Sequence, residues 1–204
     1  RVVAPLLKHS QQAYPEVTID LVLSDKPTDF TSDRVDIEFR NGRIEDAQII
    51  ARQIVPMQML VCASPAYQQA NGLPETVDEL GQHQCINFRH ASGRISEWEF
   101  KVDGQPRKFL PTARLTFNDA DLVLQAVLDG QGIAQMPGYL ICQDLRTGAL
   151  FASLAQYAPD DRGHHICYLS RQHLPTRMRV FIDFMIEKIR AADLQCATNL
   201  DVQF

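Results

Sequence analysis

The chain has 204 residues, 45% apolar and 22% charged, which is long enough for one large domain or two small ones and too apolar for a disordered polypeptide. Its apolar runs are short: residues 54–62 are interrupted by Pro56 and Gln58, far from the roughly 18–20 residues a membrane helix needs. The net charge of −5 excludes these residues by themselves as a module that grips a nucleic-acid phosphate backbone, because counterion release requires a basic surface.

In chain order, the spacing of Val3, Leu6, Leu7 and Tyr14 predicts an amphipathic helix over residues 3–14, ended by Pro15. The β-branched stretch 17–23 reads as a strand and the polar stretch 26–34 as a short helix. Residues 36–40 (DIEFR) form a short strand stopped at Asn41-Gly42, and 49–55 and 57–63 are two further extended stretches. Ser64-Pro65 supplies a serine N-cap with proline at the first helical position. Thr76 and Glu79 stand in capping-box spacing before a short helix over 76–80. Residues 85–88 form a strand, and 97–102 alternate before the hairpin signal Asp103-Gly104.

A strand over 114–117 leads to Asn118-Asp119, which opens a helix carrying Val123, Leu124, Val127 and Leu128 and closed by Gly130. A short strand over 133–136 ends at Pro137, and a helix over 139–146 stops before Gly148. After a strand over 165–170, the helix over 175–192 has the clearest stripe: Met178, Phe181, Ile182, Met185 and Ile189. Strands alternate with helices in too many units for one small sheet, so the pattern predicts two α/β lobes with mostly parallel sheets.

Catalytic and metal motifs give no site. GxSxG, HExxH, P-loop and CxxC patterns are missing from the sequence. Gly130-Gln131-Gly132 follows a helix rather than a strand, which makes it a helix C-cap and turn, not a phosphate loop. His164 and His165 would point to opposite faces of a strand and cannot readily share a metal with Cys167. The lone Trp98 reads as a half-buried hairpin aromatic in preference to a ligand-stacking group. The cysteines at 62, 85, 142, 167 and 196 are odd in number and scattered, which predicts free buried thiols in a reducing compartment. The opening RVVAPLLKHSQQ lacks the form of a signal peptide.

Taken together, VVAPLL followed by YPEVTIDLVLSD, DIEFRNGRIEDAQIIAR, VCASPAYQQANGLPETVDELGQHQCINF, NDADLVLQAVLDGQGIAQMP and SRQHLPTRMRVFIDFM resemble, in this order, the effector-binding domain of LysR-type transcriptional regulators, from residue 1 to about residue 190. The resemblance implies an α/β, two-lobed fold like type 2 periplasmic solute-binding proteins, with an inter-lobe cleft for a small-molecule effector. It implies a first lobe from 1–62 plus 169–204 and a second from 63–168. It also implies a winged helix-turn-helix before residue 1, so that DNA is bound only through that N-terminal domain. The implied assembly is a homodimer or homotetramer, packed through the helices at 3–14 and 120–128. RNA polymerase contact in the full-length protein, a cytoplasmic location, transcription regulation as the role, and no cofactor, catalysis or membrane partner complete the expectation.

In open α/β sheets, ligands lie at the carboxyl ends of strands, near helix N-termini. That rule and the resemblance select Ser24 and Asp25; Arg40, Asn41 and Gly42; Phe88, Arg89 and His90; and Asn118, Asp119 and Ala120. Arg40 suits a carboxylate through a bidentate pair, which points to a small organic anion as effector; the plainer reading pairs Arg40 with a neighbouring acid such as Glu45 or Asp46. A transporter's solute-binding protein is the alternative function, and an enzyme on the same fold a third. In the family a strand precedes the first helix, and here residue 1 already stands at that helix. The alternating tail Leu200, Val202 and Phe204 is a candidate for that strand's slot.

Overall fold

The structure is a computed structural model and describes residues 2–24, 28–41, 46–159, 163–169, 174–192 and 194. Helix α1 spans Val3–Ala13, strand β1 Glu38–Asn41, β2 Ile49–Pro56, β3 Met59–Ala63, and α2 Pro65–Asn71. Then follow β4 Cys85–Phe88, β5 Trp98–Val102, β6 Gln105–Phe109, β7 Ala113–Phe117 and α3 Ala120–Leu128. Strand β8 covers Ala134–Pro137, α4 Gly138–Arg146, β9 Phe151–Ser153, β10 Gly163–Leu169 and α5 Thr176–Ala191. None of these helices is long and apolar enough to cross a membrane.

The chain forms two compact units, one from Arg1–Pro56 with Arg162–Leu194 and one containing Met57–Asp161. In the first, β10 is central, flanked by β1 and β2, and both ladders are antiparallel. The expected stripe of α5 is buried at Met178, Phe181, Ile182, Met185 and Ile189, and the helix packs on β2 and α1. Tyr14 meets Phe184 edge-on with ring centroids 6.0 Å apart.

In the second unit β3 pairs antiparallel with β8 and β9, and β4 pairs parallel with β7. The two sets are joined at Ile133, whose N–H donates to Gln84 O (2.8 Å) and whose carbonyl accepts from Ile86 N–H (2.9 Å). Strand β3 is buried on both faces, which explains its uninterrupted apolar run. Leu60 and Cys62 pack with Val123, Leu124 and Val127 of α3, while Val61 and Ala63 pack with Leu80, Trp98 and Phe100.

The GxG turn has a mechanical explanation. Gly130 has φ +74° and closes α3, with Gly130 N–H on Val127 O and Gln131 N–H on Ala126 O, both at 3.0 Å. At Gly132 a Cβ would come 2.5 Å from Gln84 O, so only glycine lets this turn join β4. The β5–β6 hairpin turns through Asp103 and Gly104, both at positive φ (51° and 75°), as a two-residue hairpin requires.

Several expectations need correction. Residues 17–23 are not a strand: they are in no ladder, and Leu21, Val22 and Leu23 are exposed, because β-branched composition makes a strand only where a partner supplies hydrogen bonds. The described part of 26–34 is a turn, since the Asp29 carboxylate takes the Thr31 and Ser32 N–H groups (2.9 and 3.0 Å) and displaces a helical ladder. Those N–H groups hold the Asp29 carboxyl below its usual range. The stretch after Thr76 is a 3-10 turn over Val77–Gln82, and Glu79 accepts from Glu75 N–H and the Thr76 hydroxyl in place of a reciprocal capping box. The sheets are mixed: only β4–β7 and the Cys85–Ile133 bridge run parallel among the described residues. Trp98 is fully packed and not half-buried. Cys62, Cys85 and Cys167 are free and buried as expected, but Cys142 is disulfide-bonded. The tail at 200–204 lies outside the described residues.

Candidate functional site

The parallel pair β4–β7 is where a strand-end site is built. Its register sets Phe88 opposite Phe117, and Arg89 N–H donates to Phe117 O at 2.7 Å. Residues 88–90 and 118–120 are therefore neighbours at the shared carboxyl end, beside the start of α3. Phe88 and His90 meet edge-on at 5.3 Å, and Arg89 donates to Gly93 O at 3.1 Å. Asp119 caps α3: its carboxylate accepts from Asp121 and Leu122 N–H (2.9 and 3.0 Å). Of the first-turn donors, that leaves Ala120 N–H for another acceptor, and the capping carboxylate offsets the positive helix end. Asn118 is exposed beside it.

In the first unit, Arg40 and Asn41 are the last two residues of β1, opposite His165 and His164 of β10. This ladder is antiparallel, so the parallel-strand rule that selected Arg40 does not apply to it. Arg40 instead forms an ion pair within its own strand: its guanidinium reaches Glu38 at 3.1 Å, with side chains 25% and 16% exposed. Residues i and i+2 share a strand face, so the spacing in DIEFR already contained this partner. Ser24 is exposed and follows the unpaired segment 17–23, while Asp25 and Gly42 lie outside the described residues.

Burial pushes the His164 imidazole down to about 4, with neighbouring His165 adding to the effect. Burial and then the Glu38 carboxylate push the Cys167 thiol up to about 11, against a smaller opposing effect of Arg40. Cys167 is thus a neutral wall, not a nucleophile. Among the described residues no three His, Cys, Asp or Glu side chains converge as metal ligands.

Against known proteins, residues 1–190 match the model of the LysR substrate binding domain. The chain is 30% identical over 191 residues to the HTH-type transcriptional regulator CrgA of Neisseria meningitidis serogroup C (strain 8013), covering 92% of this chain and 62% of that protein. It is 29% identical over 184 residues to the HTH-type transcriptional regulator PgrR of Escherichia coli K12, covering 89% and 62%. Among solved structures it is similar to the regulatory domain of AphB in Vibrio vulnificus, with a TM-score of 0.77, 27% identity and 92% of each chain covered. The CrgA regulatory domain from Neisseria meningitidis gives a TM-score of 0.75 with 28% identity and 92% of each chain covered. The chain thus spans about 62% of the length of these curated relatives. It belongs to the LysR substrate binding domain family, with that family's two-lobed, periplasmic-binding-protein-like α/β fold.

Proposed function

We propose that the chain is the effector-sensing domain of a bacterial LysR-type transcriptional regulator. The observation that carries this reading is the family match over residues 1–190 together with the likeness to two regulatory domains. The chain acts as a binding module rather than an enzyme: a small organic anion is the effector, and its occupancy shifts the population of domain conformations. DNA is engaged through a helix-turn-helix elsewhere in the full-length protein, where RNA polymerase is a further partner, and the whole works in the cytoplasm. The lobes are proposed at 1–62 plus 169–204 and at 63–168, with β3 reassigned to the second and β10 to the first because their ladders lie there.

Arg40 on the first unit is the proposed anion-binding side chain. Residues Phe88, Arg89, His90, Asn118, Asp119 and Ala120 are the proposed effector positions on the second, joined by Ser24, Asp25, Asn41 and Gly42 on the first. Support on the second unit is the shared carboxyl end of β4 and β7. Assembly is a homodimer or homotetramer through faces of α1 and α3. Closed two-fold symmetry favours such pairing, and Leu122 of α3 is exposed. A thermal-unfolding screen of small carboxylates tests the sensing role, and repeating it with Arg40→Ala tests the site.

A further inference from the structure

The opposite end of the β4–β7 pair carries chemistry that the effector reading does not use. An open recess of about 220 Å³ lies there, lined among others by His83, Gln84, Cys85, Thr112, Arg114 and Gln131. Cys85 and Ala113, which line it, stand three and four residues before Phe88 and Phe117, about 10 and 13 Å at roughly 3.3 Å per residue. Among the described residues no carboxylate lines it, in a chain whose net charge is −5. Arg114 is exposed and has no acidic partner among the described residues, whereas Arg40, Arg52 and Arg107 each pair with one.

Two positions around the recess are held in place, the His83 ring and the backbone at Gln131. Gln84 N–H donates to Tyr67 Oη at 3.0 Å, and the same phenol oxygen shares a hydrogen bond with His83 Nδ1 at 3.1 Å, which holds the imidazole by that edge. Gln131 is presented by the Gly130–Gly132 turn, which the close approach of Gly132 to Gln84 fixes. Burial pushes the Cys85 thiol up to about 11, so it adds no negative charge. Burial also lowers the His83 imidazole, against a smaller opposing effect of Glu79, so His83 is neutral near pH 7 and able to gain a proton.

We propose that this recess is a second binding site, for a small oxyanion, with Arg114 as its fixed cation and His83, Thr112 and Gln131 as its hydrogen-bonding groups. An anion bound there favours the imidazolium, so binding tightens as pH falls through the His83 range, below the ordinary 6.5.

The test is an amide NMR titration of the isotope-labelled chain with inorganic phosphate and, in parallel, with succinate, at about pH 5.5 and about pH 7.5. The expected result is saturable shifts at residues 83–85, 112–115 and 131, stronger at the lower pH once the anion's own charge at each pH is allowed for. Saturation by phosphate or by succinate identifies which oxyanion the recess prefers. Arg114→Ala should weaken the binding about tenfold or more. Thr112→Val serves as a second variant, with a smaller weakening expected. Shifts that never saturate with either anion, or that survive Arg114→Ala unchanged, or that fall only at 88–90 and 118–120, would overturn the proposal. A failure here leaves the effector reading standing, because that reading rests on other residues.

Discussion

Arg40 and Glu38 lie on one face of β1 with the guanidinium 3.1 Å from the carboxylate, so the proposed anion-binding cation already has an internal anion beside it. An effector carboxylate must compete with Glu38 for the same guanidinium. Arg40→Ala should therefore weaken effector binding by about 1.5–3 kcal/mol, and Glu38→Gln should tighten it by about 1 kcal/mol. Calorimetry on both variants checks the pair; equal affinities in wild type and Arg40→Ala would remove Arg40 from the site.

Gly132→Ala should destabilise the second unit by about 1–3 kcal/mol, since the new methyl would meet the Gln84 carbonyl at 2.5 Å, a backbone atom tied to Ile133. Gly130→Ala should cost about 1 kcal/mol for the left-handed φ of +74° alone. Urea unfolding ranks the two, and the account requires the Gly132 variant to be the worse.

The stability of the first unit should depend on His164. Its folded value of about 4 lies below the ordinary 6.5, so the unfolded chain binds the proton more readily. Stability from the neutral imidazole is fully present above about 6.5 and is lost as pH falls toward 4, to a total of up to about 3 kcal/mol. His83 of the second unit, also lowered by burial, gives that unit a slope of the same sign. Unfolding free energies between pH 7 and 4 should flatten in His164→Gln; an unchanged slope would mean that another group controls the acid limb.

Assembly through α3 has a direct check. Leu122 is 52% exposed, whereas Val123, Leu124, Ala126 and Val127 of the same helix are buried. Leu122→Asp should shift the sedimentation profile toward monomer at tens of micromolar, while a monomeric wild type at that concentration would count against the proposed dimer.

Sequence patterns were sufficient wherever local preference and burial agree. The Ser64 cap, the Asp103-Gly104 hairpin and the Gly130 stop are each determined by residues within one turn, and the α5 stripe by a period repeated along a single helix. They failed where a partner far along the chain decides. Residues 17–23 have strand composition but no ladder, and β9 is only three residues long, too short to show a period, yet β3 recruits it through Val61–Ser153. The neighbourhood of Arg89 and Asp119 needed the parallel pairing of β4 with β7, which no spacing in the sequence states. The Glu38–Arg40 pair is legible from the strand period of two, which sets residues i and i+2 on one face, whereas Glu45 and Asp46 are neighbours only along the chain.

The measurement that bears most directly on the central claim is the unfolding free energy of this chain against a panel of small organic anions, with Arg40→Ala run beside it. A sensor saturated at 100 times its dissociation constant gains about 2.7 kcal/mol, and the account predicts such a gain for at least one anion, reduced in the variant. A panel of carboxylates that leaves the unfolding free energy unchanged at millimolar concentration would contradict it.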